Sequence, residues 1–127
     1  MRIKSVNRPK ENRARERRIE VEVVVDAYNA VERAMSWYYY LEERLEFPFK
    51  ARCKSKREIS PLRIGKAVEV VGIAAEEECE SEMFVRLKWD GRRMAVPLSQ
   101  LEPLAVDTST NEAVADWHYW VGRGYEF

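Results

Sequence analysis

The stretch MFVRLKWDGRRMAVPL, residues 83–98, decides how the rest of the chain is read. Two runs, MFVRLKW (83–89) and RRMAVPL (92–98), flank Asp90-Gly91, the two-residue signature of a type I′ hairpin turn. Such a turn fixes register. It sets Trp89 opposite Arg92, Leu87 opposite Met94, Val85 opposite Val96 and Met83 opposite Leu98. These pairs make one apolar face, while Arg86 and Lys88 point the other way. Turn chemistry and hydrophobic pattern agree on a β-hairpin.

Upstream of the hairpin, EEECESE (76–82) reads as a loop joining it to VEVVGIA (68–74), a further strand. Before that, KARCKSKR (50–57) alternates, placing Lys50, Arg52, Lys54 and Lys56 on one side of an extended segment. SPL at 60–62 and Gly65 are turn signals. Downstream, PLSQLEPL makes a tight turn. Short strands, a hairpin and a tight turn predict a small antiparallel SH3-like β-barrel.

Helices flank it. Between residues 19 and 45 apolar side chains fall at 21, 24, 28, 31, 35, 38, 41 and 45, which is helical spacing. IEVEVVV at its start also alternates as a strand would. The run without Gly or Pro predicts helix at least from Asp26, ended by Pro48 in LEERLEFPF. Trp37, Tyr38, Tyr39 and Tyr40 take four successive helical directions, so at least one ring covers a second element or a surface. Near the C-terminus, Ser109 with Glu112 reads as a capping box, Ala113, Val114, Trp117 and Val121 as the apolar stripe, and Gly122 and Gly124 as the stop. The fold class expected is α+β: a long N-terminal helix and a C-terminal helix packed on the small antiparallel barrel, as one domain over residues 19–127.

The charge is unevenly spread. The 22 Lys/Arg and 22 Asp/Glu of the 127 residues cancel, yet residues 1–18 hold eight basic and two acidic side chains, leaving a net −6 on the rest. Residues 1–18 are expected to be a flexible basic arm, either a solubilising tail or a contact for nucleic acid or an acidic protein surface. The apolar runs are too short to span a bilayer and no secretory h-region is visible, so the expected location is cytoplasmic. Cys53 and Cys79 lack close metal spacing and read as free thiols. Monomer and dimer both remain open.

Catalysis is poorly supported, and the expectation is that the chain is not an enzyme. His118, between Trp117 and Tyr119, is the one histidine, and no nucleophile elbow, phosphate-binding glycine loop or HExxH occurs. DTSTNE (107–112) opens like an EF-hand loop, but Glu112 stands where Gly is required and His118 where Glu is required. Oxygen donors are more plentiful. Glu76, Glu77, Glu78, Glu80 and Glu82 crowd one loop, and crowded carboxylates gain from a shared divalent cation. Glu42, Glu43 and Glu46 form a second group at a helix C-terminus, where the dipole is negative and acids are unfavourable. On charge chemistry alone, a solvated loop is the simpler reading of 76–82.

Four stretches tip that balance: VVVDAYNAVERAMSWYYYLEERLEFPFKARC, ISPLRIGKAVEVVGIAAEEECESEMFV, MAVPLSQLEPL and ADWHYWVGRGYEF. Together, over about residues 19–127, they resemble the small calcium-binding proteins first described in cyanobacteria, the CcbP-like family. The resemblance implies a non-EF-hand protein that binds Ca2+ through negative surface charge and acts as an intracellular calcium buffer or sensor. Carried over by position, it points to Glu42 and Glu43 in YYYLEERL and to Glu76, Glu77, Glu78, Glu80 and Glu82. The competing reading is an SH3-like nucleic-acid or protein-binding module. It would use the basic arm and the 50–57 row, extended by Arg86, Lys88, Arg92 and Arg93.

Overall fold

Asn29 starts the main helix. Its Oδ1 accepts from the Glu32 amide at 2.9 Å while Glu32 Oε1 accepts from the Tyr28 amide at 2.7 Å, a reciprocal cap that satisfies two amides at once. Helix α2 then runs Ala30–Arg44. The structure, a computed structural model, describes residues 8–89 and 91–127. The expected helix from Asp26 is therefore corrected to begin at Ala30. The helical spacing further upstream belongs to a separate piece: α1 (Arg13–Arg18) continues into a π-helical turn over Ile19–Val23, which buries Ile19 and Val23. Of the four consecutive aromatic residues, Trp37, Tyr38 and Tyr40 are buried and Tyr39 is the ring left at the surface.

Five strands follow: β1 (Phe49–Cys53), β2 (Ala67–Ile73), β3 (Phe84–Trp89), β4 (Arg92–Pro97) and β5 (Leu101–Leu104). The β3–β4 register is the one the turn demands, with Trp89, Leu87 and Val85 opposite Arg92, Met94 and Val96. Leu98 N donates to the Met83 carbonyl at 2.9 Å, extending it by one pair. Gly91 has φ 73°, as a type I′ turn needs; Asp90 lies outside the described residues.

All pairings are antiparallel and the sheet order is β4-β3-β2-β1-β5. The expected barrel is met only as far as this sheet. A 3-10 turn over Leu98–Gln100 swings the chain from β4 across to β5, which pairs with β1, so β4 and β5 remain the edges of an open sheet among the described residues. The basic row is also shorter than expected: β1 ends at Cys53, which leaves Lys50 and Arg52 on the strand and Lys54 and Lys56 beyond it.

Helix α3 spans Thr108–Gly122 with Asp107 at its N-cap. The expected Ser109–Glu112 box does not form, because the helix starts earlier, at Thr108, which puts Ser109 inside its first turn, and tertiary partners take both side chains. Ser109 Oγ donates to the Arg44 carbonyl at 3.1 Å, and Arg18 donates to Glu112 at 3.1 Å. The helix ends as a glycine stop should. Gly124 (φ 92°) donates to the Val121 carbonyl and Tyr125 to that of Trp120, satisfying the last carbonyls. Trp37 of α2 meets Trp117 and Trp120 of α3 with ring centroids 5.0 and 5.4 Å apart, which anchors the helix pair.

Residues 8–18, expected as part of a flexible arm, are docked instead. Arg15 and Arg18 both reach the buried Asp116 at 2.6 Å, Asn12 N donates to Tyr119 Oη at 3.0 Å, and Arg123 donates to the Pro9 carbonyl at 3.0 Å. The remainder of that expectation, on residues 1–7, lies outside the described residues. No helix among the described residues is long and apolar enough to cross a membrane.

Candidate metal centre

EEECESE is not a slack loop. Residues Glu76–Cys79 wind into one 3-10 turn pinned by Cys79, which is buried. Phe84 N donates to Cys79 Sγ at 3.4 Å. Burial pushes the Cys79 thiol up, so it remains protonated and anchors the turn without offering a thiolate. With the sulfur held inward, the glutamates are driven outward.

Those carboxylates divide into two sets. Glu78 is paired with Arg86 at 3.0 Å and Glu82 with Arg57 at 2.6 Å, so two of the five are neutralised by the neighbouring strand and loop. Glu76, Glu77 and Glu80 are exposed and make no ion pair among the described residues. They rim a groove of about 310 Å³ whose floor includes Ala34, Met35 and Tyr38 of α2.

The end of α2 supplies the other group. Arg44 sits between Glu43 and Glu46 in sequence, but its guanidinium turns back to Glu22 at 3.1 Å and lies 4.5 Å from the centre of the Tyr40 ring. Glu42 and Glu43 are exposed and without an ion pair among the described residues. Glu46 is separated from them. Its amide donates to Thr110 Oγ1 at 2.9 Å, and it lines a different groove beside Glu69 and Asp107.

Two tyrosines link the acidic turn to α2. Tyr39 Oη donates to Glu76 at 2.7 Å, and that bond, ahead of burial and the charges of Glu76 and Glu42, pushes the phenol up. Tyr38 donates to the Ala74 carbonyl at 2.7 Å. Burial first pushes the Tyr38 phenol up, followed by the negative charges of Glu42, Glu76 and Glu77. Glu42 and Glu76 thus act on both phenols and Glu77 on Tyr38, while Glu43, Glu46, Glu78 and Glu82 lie outside that meeting point or are already paired. Sequence reading missed both tyrosines. The clue available was the four-ring run, which required one ring to leave the core.

The donor chemistry suits a hard cation. It offers flexible carboxylates and phenol oxygens with no imidazole and no free thiolate nearby. In this geometry, however, no group of three His, Cys, Asp or Glu side chains stands close enough to share one ion among the described residues. A calcium ion would have to draw Glu42, Glu76, Glu77 and Glu80 together. A zinc set of Cys53, Cys79 and His118 is likewise not assembled.

The CcbP calcium-binding family matches residues 17–121. None of the curated proteins matches the chain. Among solved structures, that of Anabaena CcbP is 44% identical, with a TM-score of 0.83, over 94% of this chain and 98% of that one. A calcium-binding protein solved in its calcium-binding form is also 44% identical, with a TM-score of 0.82, over 92% of this chain and 96% of that one. The family match spans the α2 end and the acidic turn as well as the sheet, and at 44% identity the two structures carry more than the fold. The chain belongs to the CcbP family of calcium-binding proteins.

Proposed function

We propose that this chain is a cytoplasmic calcium buffer or sensor, binding Ca2+ between the acidic turn and the end of α2. The observation that carries the reading is the groove between α2 and the acidic turn, rimmed by Glu76, Glu77 and Glu80 and bridged by the Tyr39–Glu76 hydrogen bond, in a member of a calcium-binding family. Glu42, Glu76, Glu77 and Glu80 are the leading ligands. Glu43, the next residue along α2, is exposed and without an ion pair among the described residues. Glu78 and Glu82 are held by arginines and enter only if those pairs open, and Glu46 belongs to a separate groove. Because the carboxylates are splayed, binding includes the cost of ordering long side chains, which argues for modest affinity and fast exchange. The role is binding, not catalysis: His118 is held neutral on the far helix. Residues 19–127 form the binding domain, with α1 as a strap on its back.

Calorimetric titration of the chelator-treated protein with calcium, in near-physiological salt, tests this. Saturable heat is expected, weakened at least about tenfold in Glu76→Gln/Glu77→Gln/Glu80→Gln, as loss of several charged ligands requires. Glu46→Gln should leave it unchanged. No heat and no amide chemical-shift change up to millimolar calcium would overturn the reading.

A further inference from the structure

Beyond the ion pairs of a few arginines, the basic side chains are segregated from the acidic ones along the chain. Residues 48–73 and 84–104, which hold the five strands, carry eleven Lys/Arg against four Asp/Glu, whereas the remainder of residues 19–127 carries three against sixteen. Register gathers part of this charge. Lys50, Glu69, Lys88 and Arg93 stand directly opposite one another on successive strands and share the outer face.

At the hairpin end of the sheet Arg63, Lys66, Arg92 and Arg93 border an aromatic ring. Trp89, half-buried, borders two shallow concavities. One of about 400 Å³ is shared with Arg63 and Lys66, and one of about 520 Å³ with Arg92 and Arg93. Lys66 Nζ lies 6.0 Å from the indole centroid. Arg63, Lys66, Lys88, Arg92 and Arg93 are all exposed, and none forms an ion pair among the described residues. By contrast, Arg15, Arg18, Arg44, Arg57 and Arg86 are all spent on carboxylates.

We infer that this end of the sheet, centred on Trp89, binds single-stranded nucleic acid. Cations spaced along a strand track a phosphate backbone, and an indole between two concavities offers a face on which an unpaired base can stack. A duplex hides its base faces and would leave Trp89 unused, and an acidic protein segment has no base to stack. The surface is distinct from the acidic pole and from the docked α1, so it stands whether or not calcium binds.

The test is fluorescence anisotropy of a labelled single-stranded oligopyrimidine, about a dozen nucleotides long, with the full chain and with calcium chelated throughout. Four phosphate contacts would give a salt slope near about −2.8, so affinity should fall about 50-fold between 50 and 200 mM salt. Trp89→Ala should weaken binding by at least about fivefold, with Trp89→Phe restoring most of it through retained stacking. If Trp89→Ala fails to fold by circular dichroism, Arg92→Gln/Arg93→Gln, at two exposed sites, should reduce the salt slope by about 1.4. No anisotropy change at the lower salt would overturn the inference. So would equal affinity for duplex DNA or polyglutamate, or an affinity and slope unchanged in the variants.

Discussion

Asp116, with 0% exposure, is the most heavily committed carboxylate among the described residues. Its oxygens accept from Arg15 and Arg18 at 2.6 Å and from Tyr40 Oη at 2.6 Å, so one buried charge joins α1, α2 and α3. The effects are mutual: the hydrogen bond to Asp116 leads in raising the Arg18 guanidinium, and burial followed by Asp116 pushes the Tyr40 phenol up to about 12. Removing one partner of such a network leaves the others desolvated and unpaired, at a cost of about 3–5 kcal/mol. Asp116→Ala should therefore lower the unfolding free energy from urea denaturation by that amount and speed amide exchange over residues 13–23. A change of under about 1 kcal/mol would show that α1 is not held by this charge. His118 offers a test by pH. Its Nε2 donates to the Leu98 carbonyl at 3.3 Å, while burial, then the positive charge of Lys54, holds its pKa down at about 4. As pH falls below about 6.5 the unfolded chain takes up the proton first, so stability is lost between about 6.5 and 4 and levels off below. The share due to this half-buried ring should be about 1–3 kcal/mol and absent in His118→Gln, measured as the difference between urea curves at pH 7 and 4. Identical slopes in the two proteins would refute it. Neither group's role was legible beforehand: Asp116 lies 98 positions from Arg18, and no local spacing announces a partner at that distance.

At the scale of elements, local chemistry was readable where local partners prevailed. The hairpin register followed from Asp90-Gly91 because turn geometry and alternating burial left a single pairing. The start of α2 was equally local but overlooked: Asn29 with Glu32 carries the same cap-and-return spacing that was assigned to Ser109 and Glu112. The second pair satisfied the same pattern and still failed, since the helix starts earlier, at Thr108, and Arg18 and the Arg44 carbonyl take both side chains. The open sheet was hidden for a similar reason, because strand spacing in sequence does not tell whether β5 returns to β4 or to β1. These assignments predict different mutational costs. Asn29→Ala should destabilise by about 1 kcal/mol through the lost cap. Thr110→Val should cost about 1–3 kcal/mol, because the Glu46 amide loses its acceptor at 2.9 Å where α2 leaves the helix pair. Urea denaturation of both proteins measures this, and a Thr110→Val cost below that of Asn29→Ala would reverse the order argued here.

Over the whole molecule, the neutral total charge conceals an acidic pole and a basic sheet. The candidate site was legible as two groups of glutamates in sequence. Which of them face each other was not, because pairing with Arg57 and Arg86 and the reach of Tyr39 are set by tertiary packing. A pole built this way should strain the apo protein, because Glu42, Glu76, Glu77 and Glu80 carry like charge without an ion pair among the described residues. A cation binding only the folded state must then raise stability in proportion to its occupancy, by about 2.7 kcal/mol at a hundredfold excess over its dissociation constant. For a chain of this size that corresponds to a rise in Tm of roughly 10 °C. Magnesium, smaller and reluctant to lose water, should give much less at splayed carboxylates. The Glu76→Gln/Glu77→Gln/Glu80→Gln protein separates repulsion from binding in one thermal-melt series. In chelator it should melt above the wild type, because the repulsion is gone, and calcium should no longer raise its Tm. If the variant melts below the wild type in chelator, the three glutamates are held by favourable contacts and the acidic pole is not strained. If calcium still raises its Tm by the full amount, the ion is bound elsewhere.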